Sequence, residues 1–216
     1  MKLRWQIAQF IEINWWRRYL RRREKTGYLD WKRRYWKAFL EKAEIPVPLG
    51  KSVLDAGCGP AGIFIILENN TVDALDPLLL SYEHSLPHFR RSNYPYARFS
   101  DLPLEKYLPE NQYDMVFCLN AINHVADLQA CADKLFQLTQ AGGELLLSVD
   151  AHNYSLLKHL FRLLPLDILH PHQYDLAEYK NMLTRRGFHI GRAVLIKKET
   201  IFSYYLIIAT RPVVSP

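Results

Sequence analysis

The sequence predicts an α/β fold, a mostly parallel sheet with helices on both faces, entered through a helical extension. Three observations predict it. Short apolar runs of strand character alternate with helical segments from Gly50 onward. A glycine-rich turn follows the first of these runs. The last two β-rich runs, GFHIGRAVLIKKE and TIFSYYLIIATR, are close enough to pair antiparallel. Buried strands alternating with helices imply a parallel sheet covered on both sides.

The elements follow in order. No Gly or Pro interrupts Leu3 to Arg23, a helix-favouring stretch rich in aromatic and basic residues that Gly27 then punctuates. A second helix is expected from Leu29 to Ala43. Leu29, Trp36, Phe39, Leu40 and Ala43 share one face, with Lys32, Arg33 and Lys37 largely on another. IPVPLG breaks it. KSVLDA reads as a buried strand, PAGIFIILE as a short helix and TVDALD as a second strand. PLLLSYEHSLPHF is helical, YARFS a third strand, and the loop DLPLEKYLPENQ leads to YDMVFCLN, a fourth. VADLQACADKLFQLT is an amphipathic helix stopped by Gly142 and Gly143, and ELLLSVD is a fifth strand. Helices over Tyr154–Leu164 and Asp175–Arg186 precede the closing β-rich pair. This divides the chain into a basic aromatic helical extension, 1–48, and a ligand-binding domain, 49–216.

The 216 residues are 49% hydrophobic and 23% charged, which fits a folded chain and excludes disorder. The net charge of +6 is unevenly placed. Residues 1–42 hold 13 Lys and Arg against 4 Asp and Glu, and the remainder holds 15 against 18. Electrostatic attraction to an acidic partner therefore belongs to the arm. Cys58, Cys118 and Cys131 form no C-x-x-C pair, so a reducing, cytoplasmic setting without structural zinc is expected. The longest apolar runs fall far short of the roughly 20 residues that span a bilayer.

The turn VLDAGCGPAG carries Gly57, Gly59 and Gly62 in a Gly-x-Gly-x-x-Gly spacing. A turn of this kind between a strand and a helix presents backbone N–H groups to a nucleotide-like ligand. The second strand ends in Asp76, placed to accept from ribose hydroxyls. Asp55, at the tip of the first strand, would sit badly beside an anionic pyrophosphate. It suits a phosphate-free cofactor with cationic groups, such as S-adenosyl-L-methionine.

VLDAGCGPAG resembles the first motif of the class I, Rossmann-like S-adenosylmethionine-dependent methyltransferases, of the small-molecule, type 11-like branch. VDALDP resembles the second motif, FSDLPLE the third, YDMVFCLNAINHV the fourth and AGGELLLSVD the fifth strand region, in register over residues 50–211. The resemblance implies a seven-stranded sheet whose last strand is reversed, and methyl transfer as the activity. It also implies that Gly57, Cys58 and Gly59 lie under the methionine moiety with Asp55 nearby. Asp76 would hold the ribose and Pro77 or Leu78 pack near the adenine. Asp101 would accept from the adenine amino group beside the Leu102 backbone, and Asn120 and Ala121 would close the methionine side.

Transfer to a hydroxyl or ammonium group requires proton removal. His124, four residues past Asn120 at the sheet rim, is the candidate base. His170, His172 and Tyr174, in LHPHQY, are candidate acceptor contacts. Two His on a Pro-stiffened loop make a weak metal site, and no metal is expected. The fourth motif reads CLNAINH, without the Asn/Asp-Pro-Pro-Tyr-like run usual in enzymes that methylate exocyclic amines of nucleic-acid bases. The expected acceptor is therefore a small molecule or a lipid-like compound, with O-methylation ahead of N-methylation. An RNA-directed methyltransferase, a nucleic-acid-binding protein or a cofactor binder without turnover are the alternatives.

Three readings compete for the arm. It can cap the body, with its aromatics lining the acceptor pocket. It can lie on an anionic membrane surface, making the protein peripheral to the membrane. It can bind RNA through phosphates and stacking. All five Trp lie before residue 40, more apolar surface than water tolerates, so part of the arm must pack on the body.

Overall fold

The structure is a computed structural model describing residues 2–108, 111–154 and 174–213, with side chains from residue 6 onward. Two helices come first, α1 (Lys2–Arg21) and α2 (Lys25–Lys42). The Glu24 carboxylate caps α2 by accepting from the Thr26 and Gly27 amides at 2.8 and 2.5 Å. Strands β1 (Ser52–Ala56), β2 (Thr71–Leu75), β3 (Ala97–Ser100) and β4 (Tyr113–Cys118) follow, with α3 (Leu79–Ser85) between β2 and β3. Then come α4 (Leu128–Leu138), β5 (Thr139–His152), α5 (Leu176–Thr184), β6 (His189–Lys198) and β7 (Phe202–Thr210).

The seven strands form one sheet in the order β3-β2-β1-β4-β5-β7-β6. All neighbours are parallel except β7, which runs antiparallel to both β5 and β6. Strand order reverses beside β1, which pairs with both β2 and β4. A crevice opens at such a switch point, beyond the C-terminal strand ends.

The pleat sends alternate residues to opposite faces. Val53, Val72, Met115 and Leu146 join the core beneath α1, α2 and α3. Leu54, Val116, Leu145 and Leu147 join the core beneath α4 and α5. Asp175 caps α5 in a reciprocal box with Glu178, whose amide donates to it at 2.9 Å. The extension belongs to the first core: Ile13, Leu20, Trp36, Phe39 and Leu40 are buried there.

Several elements depart from the expectations. PAGIFIILE forms no α-helix but two 3₁₀ turns, Gly59–Ala61 and Ile63–Ile66, separated by extended backbone at Gly62. All four residues of the second turn are buried, so there is no polar face to support a longer helix. The helix expected over PLLLSYEHSLPHF is confined to Leu79–Ser85. The helix expected over Tyr154–Leu164 lies outside the described residues after Tyr154. Among the described residues, no helix is long and apolar enough to cross a membrane.

Candidate active site

The floor of the site is the glycine turn between β1 and the first 3₁₀ turn. Gly57 and Gly59 have φ of +75° and +57°, which favours glycine. A Cβ at Gly57 would lie 2.2 Å from that of Ala121, so the chain after β4 closes directly onto the turn. The turn's amides are engaged internally. Gly57 N and Cys58 N both donate to Leu75 O, at 2.7 and 3.0 Å. Gly59 N donates to Asp76 Oδ2 at 3.0 Å. The expectation that these N–H groups face a ligand is thus corrected: they tie the turn to the end of β2. A cradle whose amides are spent this way is poorly suited to a pyrophosphate.

Asp55 also takes a different place from the one expected. Its Oδ2 accepts from Phe64 N at 3.0 Å, and a Cβ on Gly62 would come within 2.4 Å of that oxygen. The carboxyl sits beneath the turn rather than on the cavity wall, where it holds the second 3₁₀ turn against β1. Burial pushes its pKa up to about 7, opposed by the Phe64 amide and the Lys32 charge.

Asp76 does face the cavity. Its Oδ1 accepts from Leu78 N at 2.8 Å, while Oδ2 takes the Gly59 amide. Burial, and then the neighbouring Glu12 carboxylate, push its pKa up to about 7. Glu12 arrives from α1 and accepts from the Tyr82 hydroxyl at 3.2 Å. Its own pKa is raised by burial. Two carboxylates therefore meet in a poorly hydrated place, each with lone pairs to spare for ligand donors.

Over this floor lies a cavity of about 550 Å³, within the range of small-ligand sites. Gly57, Cys58, Gly59, Asp76 and Pro77 line its floor; Asn120, Ala121 and His124 line one wall. Its roof is the extension, including Glu12, Trp15, Trp16, Trp31, Lys32 and Trp36. The Trp36 indole N–H donates to Ala61 O at 3.0 Å and pins α2 to the glycine turn.

Lys32 is the unexpected member. The sequence reading put it largely on a face apart from that of Leu29 and Trp36. Instead its ammonium lies 4.5 Å from the Trp36 ring centroid, 4.9 Å from that of Tyr35 and 5.8 Å from that of Trp31. Burial pushes its pKa down to about 8, with Asp55 acting in the opposite direction. Lys32 follows Leu29 by three residues and precedes Trp36 by four, so it shares their buried face and its ammonium rests over aromatic rings at the cavity.

The remaining expected residues are distributed as follows. Asn120 adopts φ of +55°, and its amide donates to Ser148 Oγ at 2.8 Å, an oxygen that also receives the Tyr204 hydroxyl at 2.8 Å. His124 ends a 3₁₀ turn, Ile122–His124, and is half-buried. Cys58 is buried beside two carboxylates, Asp55 and Asp76, which with burial hold its thiol well above its usual pKa and rule against a nucleophilic role. Asp101 and Leu102 do not line the cavity. Asp101 Oδ1 accepts from Leu80 N at 2.8 Å and from Arg91 Nη2 at 2.6 Å, and Leu102 is exposed. Pro103, Leu104 and Glu105, just beyond, are the lining residues. Tyr174 also lies away from this cavity, packed 5.5 Å from Tyr179 on the opposite face of the sheet. His170 and His172 lie outside the described residues. Among the described residues, no group of three or more His, Cys, Asp or Glu could hold a metal ion.

A family profile described as a methyltransferase domain matches residues 26–191. A ubiquinone biosynthesis O-methyltransferase of Pseudomonas savastanoi pv. phaseolicola is 32% identical over 111 residues, 48% of this chain and 46% of that protein. The chain spans about half the length of the curated relatives it matches. Solved structures that share the fold include two methyltransferases with bound ligands. The N-methyltransferase NodS of Bradyrhizobium japonicum, in complex with S-adenosylhomocysteine, has a TM-score of 0.62 at 11% identity, covering 84% of this chain and 87% of its own. A Burkholderia thailandensis 1,6-didemethyltoxoflavin-N1-methyltransferase, with 1,6-didemethyltoxoflavin and S-adenosylhomocysteine bound, has a TM-score of 0.61 at 15% identity, covering 95% of this chain and 90% of its own. With a family match over most of its length and a seven-stranded sheet reversed only at β7, the chain belongs to the class I, Rossmann-like S-adenosylmethionine-dependent methyltransferases.

Proposed function

We propose that this protein binds S-adenosylmethionine in the cavity beneath α1 and α2 and methylates a hydroxyl group of a small or lipid-like acceptor. One observation carries the reading: Asp76, Glu12, Lys32 and His124 line a single cavity above a glycine turn whose amides are already engaged. These groups fit the cofactor's chemistry. Carboxylates accept from ribose hydroxyls and attract cationic groups, an ammonium pairs with the amino-acid carboxylate, and no phosphate needs a cradle.

When bound, the cofactor would supply a methyl group on a sulfonium, its S–C bond breaking as the acceptor oxygen bonds to the methyl carbon and its sulfur leaving as the neutral thioether. The residues do the rest. Asp76 accepts from ribose hydroxyls and Lys32 takes the carboxylate. The tryptophans of the roof keep water from the reacting groups, which strengthens the charge interactions within. His124 accepts the proton that the acceptor hydroxyl releases as its oxygen is methylated. O-methylation is favoured by the relatives named as ubiquinone biosynthesis O-methyltransferases, and by the absence of Pro and aromatic residues from CLNAINH.

The test is calorimetry with S-adenosylhomocysteine, then incubation of the protein with methyl-labelled cofactor and separate aqueous and lipid cell-extract fractions. The expected result is saturable cofactor binding and a labelled ether in one fraction. Binding of NAD in place of the adenosine thioether, or label on RNA alone, overturns the proposal.

A further inference from the structure

The helix that roofs the cavity has a second face that the fold does not use. On its inner side, Ile13, Trp16 and Leu20 pack on the body. On its outer side, Ile7, Phe10, Ile11 and Trp15 are 43%, 66%, 37% and 52% exposed. Four large apolar side chains within nine positions of one helix form a contiguous patch that water disfavours. The next turns change character. Arg18, Arg21 and Arg22 are exposed beyond the patch, while Arg17 is held by Ser85 at 2.7 Å and Arg23 lies over the Tyr19 ring. The outer surface of α1 is therefore apolar toward its N-terminus and cationic toward its C-terminus. It belongs to a segment with 13 basic and 4 acidic residues, on a body where acidic residues prevail.

Trp15 joins this surface to the cavity. It is half exposed, stacks on Tyr19 with centroids 4.8 Å apart, and lines the cavity wall. Trp31, 42% exposed, lines the same cavity from α2. The mouth is thus rimmed by the amphipathic rings that settle at the boundary between headgroups and acyl chains.

We propose that the outer face of α1 docks on an anionic phospholipid surface, with Phe10 and its apolar neighbours among the acyl chains and Arg18, Arg21 and Arg22 at the headgroups. The helix lies in the interface and does not cross it. Docked in this way, the cavity mouth faces the lipid, and an acceptor dissolved in the membrane reaches the site without passing through water. Charge complementarity selects lipid over an apolar protein partner: a neutral surface would leave the exposed arginines without counter-charges.

The docking is independent of the acceptor and is tested without methyl transfer. The full chain is sedimented with vesicles of phosphatidylcholine alone and of phosphatidylcholine mixed with phosphatidylglycerol. Binding at least about tenfold stronger to the anionic vesicles is expected, weakened by added salt. Ile7→Ser/Phe10→Ser and Arg18→Gln/Arg21→Gln should each lose most of it, and unchanged calorimetric affinity for S-adenosylhomocysteine shows that the variants remain folded. No vesicle binding, or equal binding to both compositions, overturns the proposal. So does vesicle binding that both variants retain. Ile7→Ser/Phe10→Ser converting an oligomer to a monomer, without lipid binding, would make the patch a contact between copies. Loss of oligouridylate binding in Arg18→Gln/Arg21→Gln, again without lipid binding, would assign it to RNA.

Discussion

The floor and the roof of the cavity are built on different principles. The floor is backbone and buried carboxylate: Gly57, Cys58 and Gly59 tied to Leu75 and Asp76, with Asp55 beneath. Its atoms are fixed by hydrogen bonds with little room to move. The roof is side chain: indole and phenol rings from α1 and α2, one ammonium among them and one carboxylate, Glu12. Rings packed edge to face, such as Trp16 against Tyr82 at 6.3 Å, tolerate substitution better than a turn locked at positive φ. A rigid floor can thus be paired with a roof that is free to vary.

Four measurements break or sharpen this contrast. The largest effect is expected between the two layers: His124→Ala should lower kcat by about 10²–10⁴, the usual contribution of a positioned base, with affinity for S-adenosylhomocysteine nearly intact. Equal turnover would retire His124 as the base. Next, Asp76→Ala strikes the floor. It removes a hydroxyl acceptor and the partner of Gly59 N, and should weaken S-adenosylhomocysteine by about 1.5–3 kcal/mol. Unchanged affinity would remove Asp76 from the site.

Lys32→Met strikes the roof. It should weaken S-adenosylhomocysteine roughly tenfold, the scale of one charge-assisted hydrogen bond. It should leave 5′-methylthioadenosine, which lacks the amino-acid carboxylate, almost unaffected. The pH dependence sharpens this. Hydroxyl donors favour ionised Asp76, so affinity should rise as pH rises through about 7. A carboxylate requires protonated Lys32, so affinity should fall again as pH rises through about 8. Lys32→Arg, charged throughout, should keep the rising limb and lose the falling one. Equal losses for both ligands would place Lys32 away from the carboxylate.

The smallest effect concerns stability. Burial raises the folded pKa values of Asp55 and Asp76 to about 7, from the ordinary aspartate value of about 3.9. Between these limits the folded state binds more protons than the unfolded one. The stability present at low pH is therefore lost as pH rises through about 7. The ligand-free protein should melt at least several degrees lower at about pH 7.5 than at about pH 5. Asp55→Asn should flatten that slope, and a flat profile in the parent protein would contradict the buried charge.

The floor was largely legible in the sequence because it depends on local rules. Gly57 and Gly59 announce positive φ, and an apolar run ending in an acid announces a strand tip. The roof was legible only as a composition of tryptophans too numerous for water. Lys32 was missed because its charge was read as a sign of another face, although Leu29 three residues before it and Trp36 four after it put it on the buried one. Asp55 was placed with the ligand because a carboxylate at a strand tip suits a cationic, phosphate-free cofactor. Only the fold shows that its carboxylate turns toward Phe64 N. Asp101 was displaced by a long-range partner, Arg91, together with the amide of Leu80, and no sequence spacing encodes either contact.

The indole of Trp36, in the C-terminal half of α2, reaches the carbonyl of Ala61, and at the helix C-terminus Lys42 Nζ and the Arg192 guanidinium join α2 and its C-cap to β6. The second helix is therefore a strut between the cofactor turn and the far edge of the sheet. Deleting residues 1–48 would do more than unroof the cavity. It would free the glycine turn from its brace, so the segment ahead of the Rossmann-like core is inseparable from the floor of the cavity.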